Sequence, residues 1–136
     1  MSQAGTEDLY AEAIRQHGRR PAGPRKKVTV AQPKSAEDIA GVLTDAVKYP
    51  SPVRPMGSGS AVTRCARTAA GTLIDMSLLD RVLSETEDTV TVQAGIRLRD
   101  LAEFLAEEGK ELVCGCVNPN RTVGGAISSG TLGGGM

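Results

Sequence analysis

The sequence predicts an α+β fold: a small strand–helix–strand lobe, then a second sheet with helices. Three observations predict it. Short β-branched runs alternate with segments whose apolar residues recur at helical spacing. A capping serine opens the first helix and a glycine closes the second. Two glycine-rich segments each follow an extended run: Pro55-Met56-Gly57-Ser58-Gly59-Ser60-Ala61, and Thr122-Val123-Gly124-Gly125-Ala126-Ile127-Ser128-Ser129-Gly130-Thr131.

The 136 residues suffice for one domain with a core. Residues 1–25 read as a flexible leader and residues 26–136 as the folded domain. The leader has one weak apolar stripe, then a basic run around Pro21, Gly23 and Pro24. Its acidic residues Glu7, Asp8 and Glu12 argue against a transit peptide.

Val28-Thr29-Val30 reads as the first strand, broken by Pro33. Ser35 is a good N-cap, with Glu37 and Asp38 in a first turn that favours negative charge. Ile39, Val42, Leu43, Ala46 and Val47 form the apolar stripe of that helix, and Tyr49-Pro50 ends it. Val53-Arg54-Pro55 is the second strand, running into the first glycine segment. Thr72-Leu73-Ile74, ending at Asp75, opens the second group, and Ser77 to Asp80 reads as a short helical turn. Val82-Leu83-Ser84 and Val90 to Ala94 read as a hairpin with a polar tip at Glu85 to Asp88. A helix over Arg97–Glu108 should bury Leu98, Leu101, Ala102 and Leu105, with Gly109 as its C-cap glycine.

Composition excludes several functions. Lys and Arg number 16 and Asp and Glu 16, so a nucleic-acid footprint is not expected. With no Trp, one Phe and two Tyr, a base-stacking platform is not expected either. Cys65, Cys114 and Cys116 fit neither a disulfide framework nor zinc spacing, and read as packing residues. No metal site is expected. No apolar run approaches the roughly 20 residues of a membrane span. A cytoplasmic location is the expectation.

The glycine segments carry the chemistry. Gly57 and Gly59 permit backbone angles and close approaches that other residues resist, and Ser58 and Ser60 add hydroxyls. Inward-pointing amides there would suit a pyrophosphate. The segment is neither a P-loop nor a Rossmann fingerprint, and a Gly-x-Gly turn alone says little. The second segment is harder to explain as a surface turn. Gly124 and Gly125 would let the backbone lie against a flat ring.

From Lys26 to Gly135 the chain resembles the first part of the FAD-binding domain of the vanillyl-alcohol oxidase type, the PCMH-type domain. Its flavour is that of the aldonolactone and alditol oxidase branch. The carrying residues are Val53 to Ser60, Leu73-Ile-Asp-Met-Ser77, Val90-Thr-Val-Gln-Ala-Gly95, Leu98-Arg-Asp-Leu101 and Thr122 to Thr131. The resemblance implies FAD as cofactor, with Pro55, Met56, Gly57, Ser58, Gly59, Ser60 and Ala61 around the pyrophosphate. It implies Thr122, Gly125, Ser129, Gly130, Thr131 and Leu132 along the flavin and pyrophosphate, with Gly124 as a tight-packing position. It also implies oxidation of an alcohol or sugar-lactone CH–OH donor.

The chain departs from the family at Ser60, where many members carry the histidine that bonds covalently to the flavin. FAD is therefore expected to be non-covalent. Asn120 stands where bicovalent members have a second attachment cysteine, and Leu132 where a histidine is common. The family's FAD domain continues past the second glycine segment, and a separate substrate domain supplies the catalytic base. The chain thus reads as an N-terminal portion with no catalytic residue assigned, and His17 reads as solvent-facing. Its partners are then FAD, and a small-molecule substrate if a substrate domain is supplied. The alternative is a truncated or non-catalytic FAD-binding-like module without independent activity.

Overall fold

A computed structural model describes residues 27–61, 68–115 and 117–130. The first unit is a three-stranded parallel sheet. Its strands are β1 (Val28–Ala31), β2 (Val53–Met56) and β3 (Gly71–Asp75), in the order β1-β3-β2. The helix α1 (Ala36–Thr44) connects β1 to β2, as a crossover between parallel strands requires.

β3 was expected in the second group; instead it lies between β1 and β2. Val30 pairs with Leu73 on one side and Arg54 with Leu73 on the other. All five β3 residues are buried, and Thr72 has no exposed surface. Its hydroxyl donates to the Pro50 carbonyl at 2.9 Å, so the buried polar group is satisfied. A run such as Thr72-Leu73-Ile74 announces a strand covered on both faces, but its period does not reveal its neighbours.

Ser35 caps α1, its hydroxyl accepting from the Asp38 N–H at 3.1 Å. The Asp38 carboxylate in turn accepts from the Lys34 N–H at 2.8 Å. Ile39 and Val42 face Ala31 and Ile74, with Tyr49, Val53 and Met76 completing the first core. The helix stops at Thr44, short of the expected stripe. The Asp45 side chain takes the Lys48 N–H at 3.0 Å, a local bond that competes with helix continuation. Leu43, on the outer side of the helix, and Val47, beyond its end, are both exposed.

Asp75 caps a 3-10 turn, Met76–Leu78, that leads to the second unit. There β4 (Val82–Glu85) and β5 (Val90–Val92) form the expected antiparallel hairpin, closed by the Thr86 N–H donating to the Thr89 carbonyl at 2.8 Å. The helix α2 (Leu98–Glu107) packs on it. Ile96, Leu101 and Leu105 form the second core, flanked by Val82, Val90, Val92, Phe104, Leu112 and Val123. Phe104 replaces Ala102 in the expected stripe, and Ala102 is exposed. Position 102 lies about 100° around the helix from Leu101, whereas 104 and 105 stay on the buried face. The helix ends with Gly109 donating to Ala106 at 3.1 Å and Lys110 to Leu105 at 2.8 Å. A short helix, α3 (Val123–Ser128), closes the unit. No helix among the described residues is long and apolar enough to cross a membrane.

Candidate functional site

The first glycine segment lies at the carboxyl end of the parallel sheet, where open α/β sheets take their ligands. Pro55 and Met56 are the last residues of β2, paired with Ile74 and Asp75. Residues 57–61 continue from them as a half-buried loop. Gly59 has φ +68°, a conformation that glycine adopts without strain. The Ser58 and Ser60 hydroxyls lie 3.1 Å apart, with either able to donate. Among the described residues, the backbone N–H groups of Gly57, Ser58, Gly59, Ser60 and Ala61 find no acceptor. A half-buried row of amides without partners is the donor set an anion would complete.

Beside this loop is a residue for which the sequence predicts no role. The Asp75 carboxylate is buried and fully used. One oxygen accepts from Gln32 Nε2 at 2.9 Å and the other from the Ser77 N–H at 3.0 Å. It ties the ends of β1 and β3 together next to Met56. The signal available in the sequence was an acidic residue closing an apolar strand.

The second glycine segment is a helix rather than a loop. Two glycines in six residues weaken a helix by about 1 kcal/mol each. Capping and tertiary bonds offset that. Thr122 caps α3, its Oγ1 accepting from the Gly125 N–H at 3.2 Å. The Val123 N–H donates to the Ile96 carbonyl and the Gly124 N–H to the Ala94 carbonyl, each at 2.9 Å, while the Ala126 N–H donates to Thr122 at 2.8 Å. The amides of its first turn are therefore spent within the protein, unlike those of the first loop. Gly124 is held against Ala94: an added Cβ would sit 3.0 Å from both the Ala94 Cβ and its carbonyl oxygen.

The two segments meet. A Cβ on Gly57 would land on Thr122 Oγ1 and lie 3.3 Å from the Thr122 Cβ and Cγ2. Ser129, at the end of α3, donates to the Gly125 carbonyl at 2.7 Å and accepts from Arg121 Nη1 at 2.8 Å. Gly130 follows with φ +55°. Thr131 and Leu132 lie outside the described residues, as do His17, Cys65 and Cys116. Cys114 is exposed and unpaired with another cysteine. No group of three or more His, Cys, Asp or Glu among the described residues could hold a metal ion.

Two clefts lie elsewhere. One, of about 520 Å³, runs between the end of β1 and α1, past Gln32, Lys34, Glu37, Val42 and Tyr49. The other, of about 340 Å³, lies under the hairpin tip beside Leu105 and Lys110. Neither is lined by the glycine segments.

The sequence pattern of a family described as "FAD binding domain" matches residues 28–136. An L-gulono-1,4-lactone dehydrogenase of Mycobacterium tuberculosis is 37% identical over 110 residues, 79% of this chain and 25% of that protein. An L-galactono-1,4-lactone dehydrogenase of Oryza sativa, named as mitochondrial, is 36% identical over 104 residues, 75% of this chain and 18% of that protein. Among solved structures, an alkyldihydroxyacetonephosphate synthase superposes with a TM-score of 0.66 at 27% identity, covering 76% of this chain and 22% of that one. A cholesterol oxidase from Brevibacterium sterolicum shares the fold, with a TM-score of 0.62 at 21% identity over 72% of this chain and 20% of that one. The chain spans a quarter or less of the length of these curated relatives.

Proposed function

The chain belongs to the FAD-binding domain family, and from that premise we propose that it holds FAD without a covalent bond, as the cofactor portion of an oxidoreductase for alcohol or sugar-lactone CH–OH donors. The observation that carries the reading is the row of amides from Gly57 to Ala61, which find no acceptor among the described residues, with Gly57 set against the cap of α3. Those amides, with the Ser58 and Ser60 hydroxyls, would bind the pyrophosphate. Gly125, Ser129, Gly130, Thr131 and Leu132 would border the rest of the cofactor, with Gly124 as the close-packed position beneath. The bound flavin supplies acceptance of a hydride from the substrate carbon, and the protein's part is to hold and orient it. Ser60 has no nucleophilic ring nitrogen, which supports non-covalent attachment.

The lactone donor class follows the names of the mycobacterial and rice relatives. A cytoplasmic location is part of this proposal. Titration of the purified chain with FAD tests it, read by quenching of flavin fluorescence and by flavin absorbance after gel filtration. Flavin that co-elutes and is released by acid precipitation supports the reading. Protein that stays colourless at saturating FAD overturns it, and flavin retained after precipitation overturns non-covalent attachment.

A further inference from the structure

We infer that Thr122 is a positioning residue that sets the first glycine loop from beneath, rather than a group that touches the cofactor. This rests on the FAD reading above. Thr122 is 5% exposed, so little of its side chain can reach a ligand. Its Oγ1 does two things at once. It accepts the Gly125 N–H at 3.2 Å, fixing the first turn of α3, and it fills the space beside Gly57 where a Cβ would otherwise stand. Thr122 is itself held. It pairs with Arg97 in an isolated antiparallel bridge, and its neighbours Val123 and Gly124 donate to Ile96 and Ala94. The hairpin unit thereby presents one buried oxygen to a loop that belongs to the other sheet. The loop's amides have no acceptor among the described residues, so their orientation depends on what the loop packs against.

The chemistry separates three side chains. Serine keeps Oγ and should keep the arrangement. Valine keeps the shape but puts a methyl where Oγ1 stands, leaving the Gly125 N–H unpaired and crowding Gly57. Alanine at position 57 introduces the clash without altering Thr122. The experiment measures FAD affinity by fluorescence quenching, and amide hydrogen exchange of the FAD-free protein, for T122S, T122V and G57A. Loss of a helix cap corresponds to about a fivefold effect, so T122V should weaken FAD binding by that factor or more. Exchange should rise by a similar factor at Gly125 and across Gly57 to Ala61. T122S should stay within about twofold of the parent on both readouts. G57A should raise exchange in the loop and weaken FAD binding. Weaker FAD binding in T122V with unchanged loop exchange would mean direct contact and overturn the inference. Unchanged behaviour of T122V on both readouts overturns it equally. If the parent protein takes up no FAD, the FAD reading falls; exchange in the same variants still decides whether Thr122 holds the loop. A variant that exchanges rapidly even at Leu73 and Ile74 has lost its fold, and the other variants then decide.

Discussion

Gly57 and Thr122 touch across the boundary between the two sheets, with no room between them for a single methyl group. The glycine signal of the first segment is therefore partly a packing requirement of the second. An alanine at position 57 must displace either the loop or the capped turn of α3. Overpacking of this kind costs about 1–3 kcal/mol. G57A should lower the midpoint of thermal unfolding accordingly, with the shift present in the absence of any flavin. A midpoint equal to that of the parent would mean that the two segments do not press on each other in solution.

Asp75, paired with Met56 where the same loop begins, carries a second prediction. Its carboxylate satisfies Gln32 Nε2 and the Ser77 N–H while buried at the end of β3. Removing it takes an acceptor from two donors on exposed residues, at about 0.5–1.5 kcal/mol for each hydrogen bond lost. D75A should be destabilised by roughly that amount in urea unfolding. D75N should fall between the two, because an amide keeps one acceptor oxygen and turns a donor toward whichever partner it faces. A D75A protein as stable as the parent would show that solvent replaces the carboxylate.

The sequence made the hairpin, both longer helices and the two glycine segments visible, because each rests on a local signal. Val90 and Val92 alternate, Ser35 caps, and Gly109 terminates. Residue types that satisfy bonds within a few positions leave a trace in the order of the chain. What stayed hidden depends on partners distant in sequence. Nothing in Thr72-Leu73-Ile74 tells whether it pairs with Val30 and Arg54 or with the hairpin. Val47 fits the helical period, yet Asp45 breaks the helix before it is reached, and Leu43 sits within the helix but faces outward. Thr122 to Ser129 reads by composition as a glycine-rich loop. It is helical because Ile96 and Ala94 offer carbonyls that the sequence places far away. At the site, the residue types were legible but not their division of labour. Among the described residues the first loop's amides find no acceptor, while α3 spends its own on oxygens of Ala94, Ile96 and Thr122.

The start of α1 carries a pH-dependent element. A hydrogen bond from its own backbone N–H, then one from the Ser35 hydroxyl, hold the Glu37 carboxyl below the ordinary glutamate value of 4.5, against desolvation and then the like charge of Asp38. A carboxyl lowered in the folded state contributes stability that is present above the unfolded value and lost as pH falls through the folded one. The side-chain carbon signal of Glu37 should therefore titrate below 4.5. S35A should move that midpoint upward. The stability gap between the parent and E37Q should close on acidification. A midpoint at or above 4.5 would show that the capped turn is frayed in solution.

Gly59 allows the charge of the cradle to be tested apart from its shape. Its φ of +68° belongs to the left-handed region, which Asn and Asp enter more readily than other residues with a side chain. G59N and G59D should thus carry a similar backbone cost and nearly the same volume. They differ in a negative charge placed among amides that would face a pyrophosphate. Two like charges about 4 Å apart repel by about 1 kcal/mol in bulk water and about 4 kcal/mol near a protein surface. Since 1.4 kcal/mol is tenfold in affinity, G59D should bind FAD between about fivefold and several hundredfold more weakly than G59N. The gap should shrink in high salt if the loop is open to solvent. Riboflavin, which has no phosphate, should not distinguish the two variants. Equal FAD affinity in G59N and G59D would remove the pyrophosphate from this loop, even if the protein bound flavin elsewhere.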